Sequence, residues 1–384
     1  MANTKEFFKT KKAWSVYKDE LLCSYIQPYF NKVMSTGVPI VYIDGFAGKG
    51  KFDDGTKGSP LLVKEKLYQA KSISNFATPI SAYFVEYEYA DELKSNLCDD
   101  SLHVVQGDYR VKVKEILDNN QKKNIFLYVD PYGIKYLDFG IFANLDTTKY
   151  KSVELLLNLN SFGFLREACR LLKVNVDTDD VMPDFAVSAN DIKNDIQNMN
   201  LIAHGTYWQD IVEDYRQGKL DIFQAEERFL AKYMKELGKT FSYVCKIPIR
   251  FSKSKLAKYQ MIFATNHKHG VFLMADKMIE CNNRMETDIN KGQQSIFDYE
   301  CTLDKCTDAM LEEIPSKLTD VKDLYLGFYQ NKGFLYLTKD MNSALKQLES
   351  EGKIEIIREP QYTPQGRLSK SMDFLKNKIK VRRK

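Results

Sequence analysis

Between residues 39 and 161 the chain alternates short, almost unbroken apolar runs with amphipathic stretches of helical period. The runs are PIVYIDGFAG (39–48), ISAYFVEYE (80–88), LHVVQGDY (102–109), NIFLYVDPYG (124–133) and SVELLLNLNS (152–161). Strands that alternate with helices close right-handed crossover units and build a mostly parallel sheet. Runs this apolar suit strands covered on both faces. The spacing therefore predicts an α/β sheet flanked by helices over the first half of the chain.

The flanking segments extend this frame. Residues 14–33 repeat apolar side chains at helical spacing around Pro28 and predict a long N-terminal helix, so 1–37 reads as a helix packed on the core. Residues 171–225 are polar and rich in Asp and Asn, and read as a helical insertion or lid. FSYVCKIPIR (241–250) and KYQMIFATNH (258–267) follow a helix at about 224–237. A short basic loop joins them, so they must be antiparallel. A helix at about 270–286 would close a domain spanning 38–286, and 287–308 reads as a linker. In 309–384, helical stretches precede KIEIIREPQYTPQGRLSK, which reads as a β-hairpin with a basic turn. Helices followed by a small hairpin suggest a winged helix.

Composition narrows the function classes. The 384 residues are 44% hydrophobic and 28% charged, which suits a folded chain rather than a disordered one. No run of ~18 apolar residues is present, and the N-terminus lacks an apolar signal core, so a cytoplasmic protein with no membrane span is expected. Seven scattered cysteines without C-x-x-C argue against a disulfide framework or zinc knuckle. His267 and His269 alone are too few for a closed zinc site. The net charge of +4 hides an asymmetry: Gly366–Lys384 holds eight Lys/Arg against one Asp, and the other 365 residues sum to −3.

The chemistry-bearing residues end the strands. Asp44-Gly45-Phe46-Ala47-Gly48-Lys49-Gly50 forms a glycine turn, where missing Cβ atoms let a ligand approach the backbone. Glu86 ends the second strand, where an acid can accept bonds from two ribose hydroxyls. Asp108 follows the third, as an adenine-amine partner or a turn carboxylate. Asp130-Pro131-Tyr132-Gly133 ends the fourth, as an acid and ring for an amine-bearing base or as a simple turn. Open parallel sheets bind ligands at this edge, so the four together favour a nucleoside-containing cofactor. The dinucleotide fingerprint fits poorly, because Glu86 lies 38 residues after Gly48. No phosphate-binding P-loop motif occurs. Phe162 and Phe164 are further candidates for an acceptor pocket.

The turn resembles that of class I S-adenosylmethionine-dependent methyltransferases, and the pair 241–267 resembles the last two strands of that fold. YIDGFAGKGKFDDGTKGSPLL, YFVEYE, FLYVDPYG and YQMIFATNHKHGVFLM look like the three-Cys-motif partner (TcmP) family, over nearly the whole chain. The resemblance implies a Rossmann-like class I methyltransferase fold, mostly parallel with an antiparallel last strand, plus a winged-helix-like domain. It implies S-adenosylmethionine as cofactor. Asp44, Phe46, Ala47, Gly48 and Gly50 would line its methionine and ribose, Glu86 would bind the ribose hydroxyls, and Asp108 and Tyr109 would border the adenine. Asp130, Pro131 and Tyr132 would face the methyl acceptor. Amino-methyltransferases usually carry a second proline there, which D-P-Y-G lacks. The family name refers to cysteines in a genomic neighbour, which implies a protein partner encoded nearby.

The basic end suggests nucleic acid, DNA or RNA. Lys339, Asn342 and Lys346 lie off the apolar stripe of a predicted helix at 338–350, where they suit a groove. Arg367, Lys370, Lys380, Arg382 and Arg383 would contact phosphates. The expected function is methyl transfer to nucleic acid, with an amino group of a base as acceptor. The alternative is a nucleic-acid- or partner-binding protein that keeps the fold without the transfer.

Overall fold

A computed structural model describes residues 8–75, 77–175, 192–250, 257–290 and 302–384. The chain divides into two compact units, Met1–His267 and Lys268–Lys384. The helix expected at about 270–286 spans Lys268–Asn290 and belongs to the second unit. No helix among the described residues is long and apolar enough to cross a membrane.

The first unit is a Rossmann-like α/β fold built on a seven-stranded sheet. Its strands are β1 (Ile40–Asp44), β2 (Ile80–Glu86), β3 (His103–Gln106), β4 (Asn124–Val129), β5 (Ser152–Leu159), β6 (Tyr243–Ile249) and β7 (Tyr259–Thr265), in the order β3-β2-β1-β4-β5-β7-β6. The pairs β1–β2, β2–β3, β1–β4 and β4–β5 are parallel, whereas β7 runs antiparallel to both β5 and β6. The order reverses between β1 and β4, which opens a crevice at their carboxyl ends.

Burial accounts for the apolar runs. Every residue of β1, β4 and β7 is buried. Side chains alternate across the sheet. Tyr42 and Phe126 stack on one face, 6.0 Å between ring centroids, and Phe126 meets Tyr25 and Tyr29 at 5.7 and 5.2 Å. Both tyrosines come from the first helix, Ala13–Met34, which runs through Pro28. The Tyr25 hydroxyl donates to the buried Glu154 on β5 at 2.6 Å. Val41, Ile43, Ile125 and Leu127 point to the opposite face and join the main core.

Within the expected insertion at 171–225, helices span Ile192–Ala203 and Tyr207–Arg216, with residues 176–191 outside the described set. It is no polar lid where described: Met199, Ile202, Trp208, Ile211 and Val212 are buried in the core. The basic loop at 251–256 also lies outside the described residues.

In the second unit, helices Leu303–Glu313, Val321–Lys332 and Thr338–Ser350 accompany β8 (Thr319–Asp320), β9 (Ile354–Glu359) and β10 (Lys378–Arg383). The antiparallel sheet order is β8-β10-β9. Met341, Ala344, Leu345 and Leu348 form the buried stripe of their helix, as its period predicts. The expected linker at 287–308 is helical at both ends, with 291–301 outside the described residues. One expectation is corrected. The hairpin partner of β9 is not the segment ending near Lys370 but the basic C-terminus itself, through pairs such as Val381↔Ile356. Ile379 and Val381 alternate into the core, which draws the charged tail into the sheet.

Candidate active site

The turn after β1 is held from three sides. Gly45 donates its amide to the Tyr128 carbonyl at 2.9 Å, and Ala47 donates to the Val85 carbonyl at 3.0 Å. Glu86 accepts the Gly48 amide on Oε2 at 2.8 Å, and the Glu88 and Tyr89 amides on Oε1 at 2.9 and 3.1 Å. Gly48 and Gly50 have φ of +63° and +76°, a region that side chains strongly disfavour. Asp44 lies fully buried under the turn, where its carboxylate accepts from the Phe46 amide at 3.1 Å and from Ser59 Oγ at 3.0 Å. Burial pushes its pKa up to about 7, against the pull of those two bonds.

Beside this turn is a cavity of about 450 Å³. Phe46, Ala47, Gly48, Gly50, Glu86, Asp108 and Tyr109 line it, and so do Asp130, Pro131 and Tyr132. Asp44 supports the turn from below without lining the cavity. Tyr109 contributes its ring: it stacks on Phe46 at 4.5 Å and passes directly under Gly45. Asp108 caps the helix Tyr109–Asp118 by accepting the Arg110 amide at 2.8 Å, and it also holds the Arg110 guanidinium at 2.6 Å. An adenine amine would have to compete with that guanidinium. Phe164 does not reach the cavity: it is core, stacked on Phe229 at 4.3 Å, and Phe162 lines no part of the cavity either.

Sequence reasoning missed one wall. The first helix brings Ser15, Lys18 and Asp19 to the cavity. The Lys18 ammonium bridges both oxygens of Asp130 at 2.8 and 2.7 Å and lies 4.8 Å from the Tyr259 ring centroid. Asn158 Nδ2 and the Tyr128 hydroxyl also donate to Asp130, at 2.6 and 3.2 Å. Asp19 pairs with Lys11 at 2.5 Å, yet burial pushes its pKa up to about 6. Phe8 adds an aromatic side, stacked 6.4 Å from Tyr132 and edge-on to Tyr89 at 5.3 Å. The only signal for Lys18 was a polar residue within an apolar helical repeat, which an exposed lysine would match equally well.

The predicted nucleic-acid residues fare differently from one another. Lys339, Lys346, Arg367 and Lys370 are exposed. Asn342 accepts a hydrogen bond from the Tyr325 hydroxyl at 2.8 Å, so it serves the fold. Arg382 pairs with Glu355 on β9 at 2.6 Å, and Arg383 donates to the Leu311 carbonyl. Lys380 is half-buried on β10. The tail is thus a strand with part of its charge neutralised, not a solvated arm. His267 is exposed, and no group of three or more His, Cys, Asp or Glu among the described residues could hold a metal ion.

No family model and no curated protein matches this sequence. Among solved structures it is similar to a chain described as a Zn-dependent alcohol dehydrogenase from Rhodobacter sphaeroides. That match has 10% identity and a TM-score of 0.26, and covers 61% of this chain and 88% of the other. A likeness of that size carries no argument about function.

Proposed function

We propose that this chain is an S-adenosylmethionine-dependent methyltransferase acting on nucleic acid. One observation carries the reading. The glycine turn after β1, Glu86 at the end of β2 and Asp130 after β4 border one cavity, in a sheet ordered 3-2-1-4-5-7-6 with β7 antiparallel. That order and that antiparallel strand are the arrangement of the class I methyltransferases. The cavity of about 450 Å³ lies within the ~300–1,000 Å³ usual for small-ligand sites.

Bound there, S-adenosylmethionine would supply a sulfonium methyl group. The chain's own work is positioning, and holding donor and acceptor in line accounts for much of such a rate. Gly48 and Gly50 keep the turn close to the ligand. Oε2 of Glu86, which takes a single amide bond, keeps a lone pair for a ribose hydroxyl. Phe46 and the Tyr109 ring beneath it form an apolar floor.

Nucleic acid as substrate is supported by the second unit. Its order of helix, short strand, two helices and two strands, with β10 between β8 and β9, fits a winged helix. Lys339, Ser343 and Lys346 lie exposed along the third of these helices.

Two measurements test the reading. Calorimetry with S-adenosylmethionine and with its demethylated product should give one site per chain, weakened in Glu86→Ala. Transfer of a tritiated methyl group to RNA or DNA should follow. Binding without transfer to any nucleic acid would favour a non-catalytic binding protein, and no binding would remove the proposal.

A further inference from the structure

An ionised carboxylate offers about four lone-pair positions. On Asp130 four bonds occupy them: Lys18 and Asn158 on Oδ1, Lys18 and Tyr128 on Oδ2. An exocyclic amine arriving as methyl acceptor needs partners for its N–H groups, and this carboxylate has no position left to offer. The member of the pair with capacity to spare is Lys18. Its two bonds to Asp130 leave, by count, one of its three N–H groups, and its side chain, only 7% exposed, still borders the cavity.

We infer that the methyl acceptor is a hydroxyl oxygen held by Lys18, which in a nucleic acid makes the substrate RNA and the target a ribose 2′-oxygen. The inference rests on the methyltransferase reading. A hydroxyl oxygen has two lone pairs, one to attack the methyl carbon and one to accept from Lys18. Charge points the same way. An amine nitrogen gains positive charge as it is methylated, which a neighbouring ammonium opposes. A hydroxyl oxygen sheds its proton, which an ammonium favours. DNA lacks the 2′-hydroxyl, and RNA carries one on every ribose. In the step itself the oxygen–carbon bond forms as the carbon–sulfur bond breaks. The bonding pair returns to sulfur, leaving a neutral thioether, and the hydroxyl proton is released to water. Asp130 acts through Lys18 as a positioning residue.

The test uses the full chain, tritiated S-adenosylmethionine, total cellular RNA and genomic DNA. A 2′-O-methyl group blocks alkaline cleavage at its phosphodiester, so label from RNA should survive alkali in dinucleotides. Lys18→Met should lower that label by about 100-fold, the scale of losing one donor to a reacting oxygen. Affinity for the demethylated cofactor should stay within about threefold, since Lys18 is placed at the acceptor. Label in N-methylated bases, label in DNA alone, full activity of Lys18→Met, or cofactor binding with no label in either pool would each overturn the inference. The chemistry of the wild-type product decides the matter even if Lys18→Met fails to fold. Absent cofactor binding would instead overturn the methyltransferase reading beneath it.

Discussion

Glu86 Oε2 accepts the backbone amide of Gly48 at 2.8 Å, which ties the end of β2 to the turn after β1 across 38 residues. The same carboxylate accepts the amides of Glu88 and Tyr89. Glu86→Ala would leave the partly buried Gly48 and Tyr89 amides without their acceptor, at about 1–3 kcal/mol for an unsatisfied group. We expect a lower melting temperature together with at least roughly tenfold weaker cofactor binding, since each 1.4 kcal/mol is tenfold. Calorimetry and thermal unfolding on one preparation would check both. Unchanged binding would detach Glu86 from the ligand.

Gly45 is glycine because of the ring beneath it. A Cβ there would meet Tyr109 at 2.8 and 2.9 Å, and that ring is buried and stacked on Phe46. Gly45→Ala should cost about 1–3 kcal/mol, the usual scale for overpacking. Adding Tyr109→Leu should recover part of the loss, giving a non-additive double-mutant cycle in denaturant unfolding.

Asp130→Ala would strip the buried Lys18 of its counter-charge. The carboxylate side of the pair is 23% exposed, so breaking it from one side should cost on the order of 1–3 kcal/mol. The variant should melt lower, lose methyl transfer, and still bind the demethylated cofactor. Activity equal to wild type would remove Asp130 from the acceptor side.

Burial raises the pKa of Glu154 from 4.5 to about 7, although its bond from Tyr25 pulls the other way. The folded state therefore keeps a proton that the unfolded state releases between pH 4.5 and about 7. Stability from this group is complete below pH 4.5 and is lost as pH rises to about 7. Asp44 acts in the same direction. Glu154→Gln keeps an acceptor for Tyr25 without the titration. Its melting temperature relative to wild type should climb across that window and level off above it, as a fluorescence melt series would register. A flat difference would mean that Glu154 does not titrate there.

Exposed Arg367 and Lys370, the residues expected at phosphates, give the nucleic-acid reading a salt signature. Replacing either with Ala should weaken binding evenly across sequences. It should also make the slope of log affinity against log salt shallower by about one for each phosphate no longer neutralised. Arg382→Ala should change that slope little, because Arg382 already pairs with Glu355. A fluorescence anisotropy titration at several salt concentrations separates the two cases.

Much of the first unit was legible in the chain because fully covered strands need apolar runs, and β1, β4 and β7 are covered throughout. The glycine turn was legible because Gly48 and Gly50 sit at positive φ, which few other residues tolerate. Asp108 was legible only as a position: its neighbour Arg110 and the helix it caps decide how its carboxylate is used. The segment 353–370 misled because Arg367 and Lys370 follow a turn-rich stretch that suits a return strand, whereas the alternation of Ile379 and Val381 against the core drew in the terminus instead.

Which stretches become strands, where the chain turns sharply and where acids stand at strand ends all follow from the order of the amino acids, because each of these is local. The tertiary structure alone decided that Lys18 meets Asp130 across 112 residues. It also decided that Tyr109 floors the turn at Gly45, and that a basic tail is spent inside a sheet. Local periodicity reports only whether a side chain faces core or water. Which charge answers which is settled when the first helix lies across the sheet and the aromatic layer of Tyr25, Tyr29 and Phe126 fixes its position.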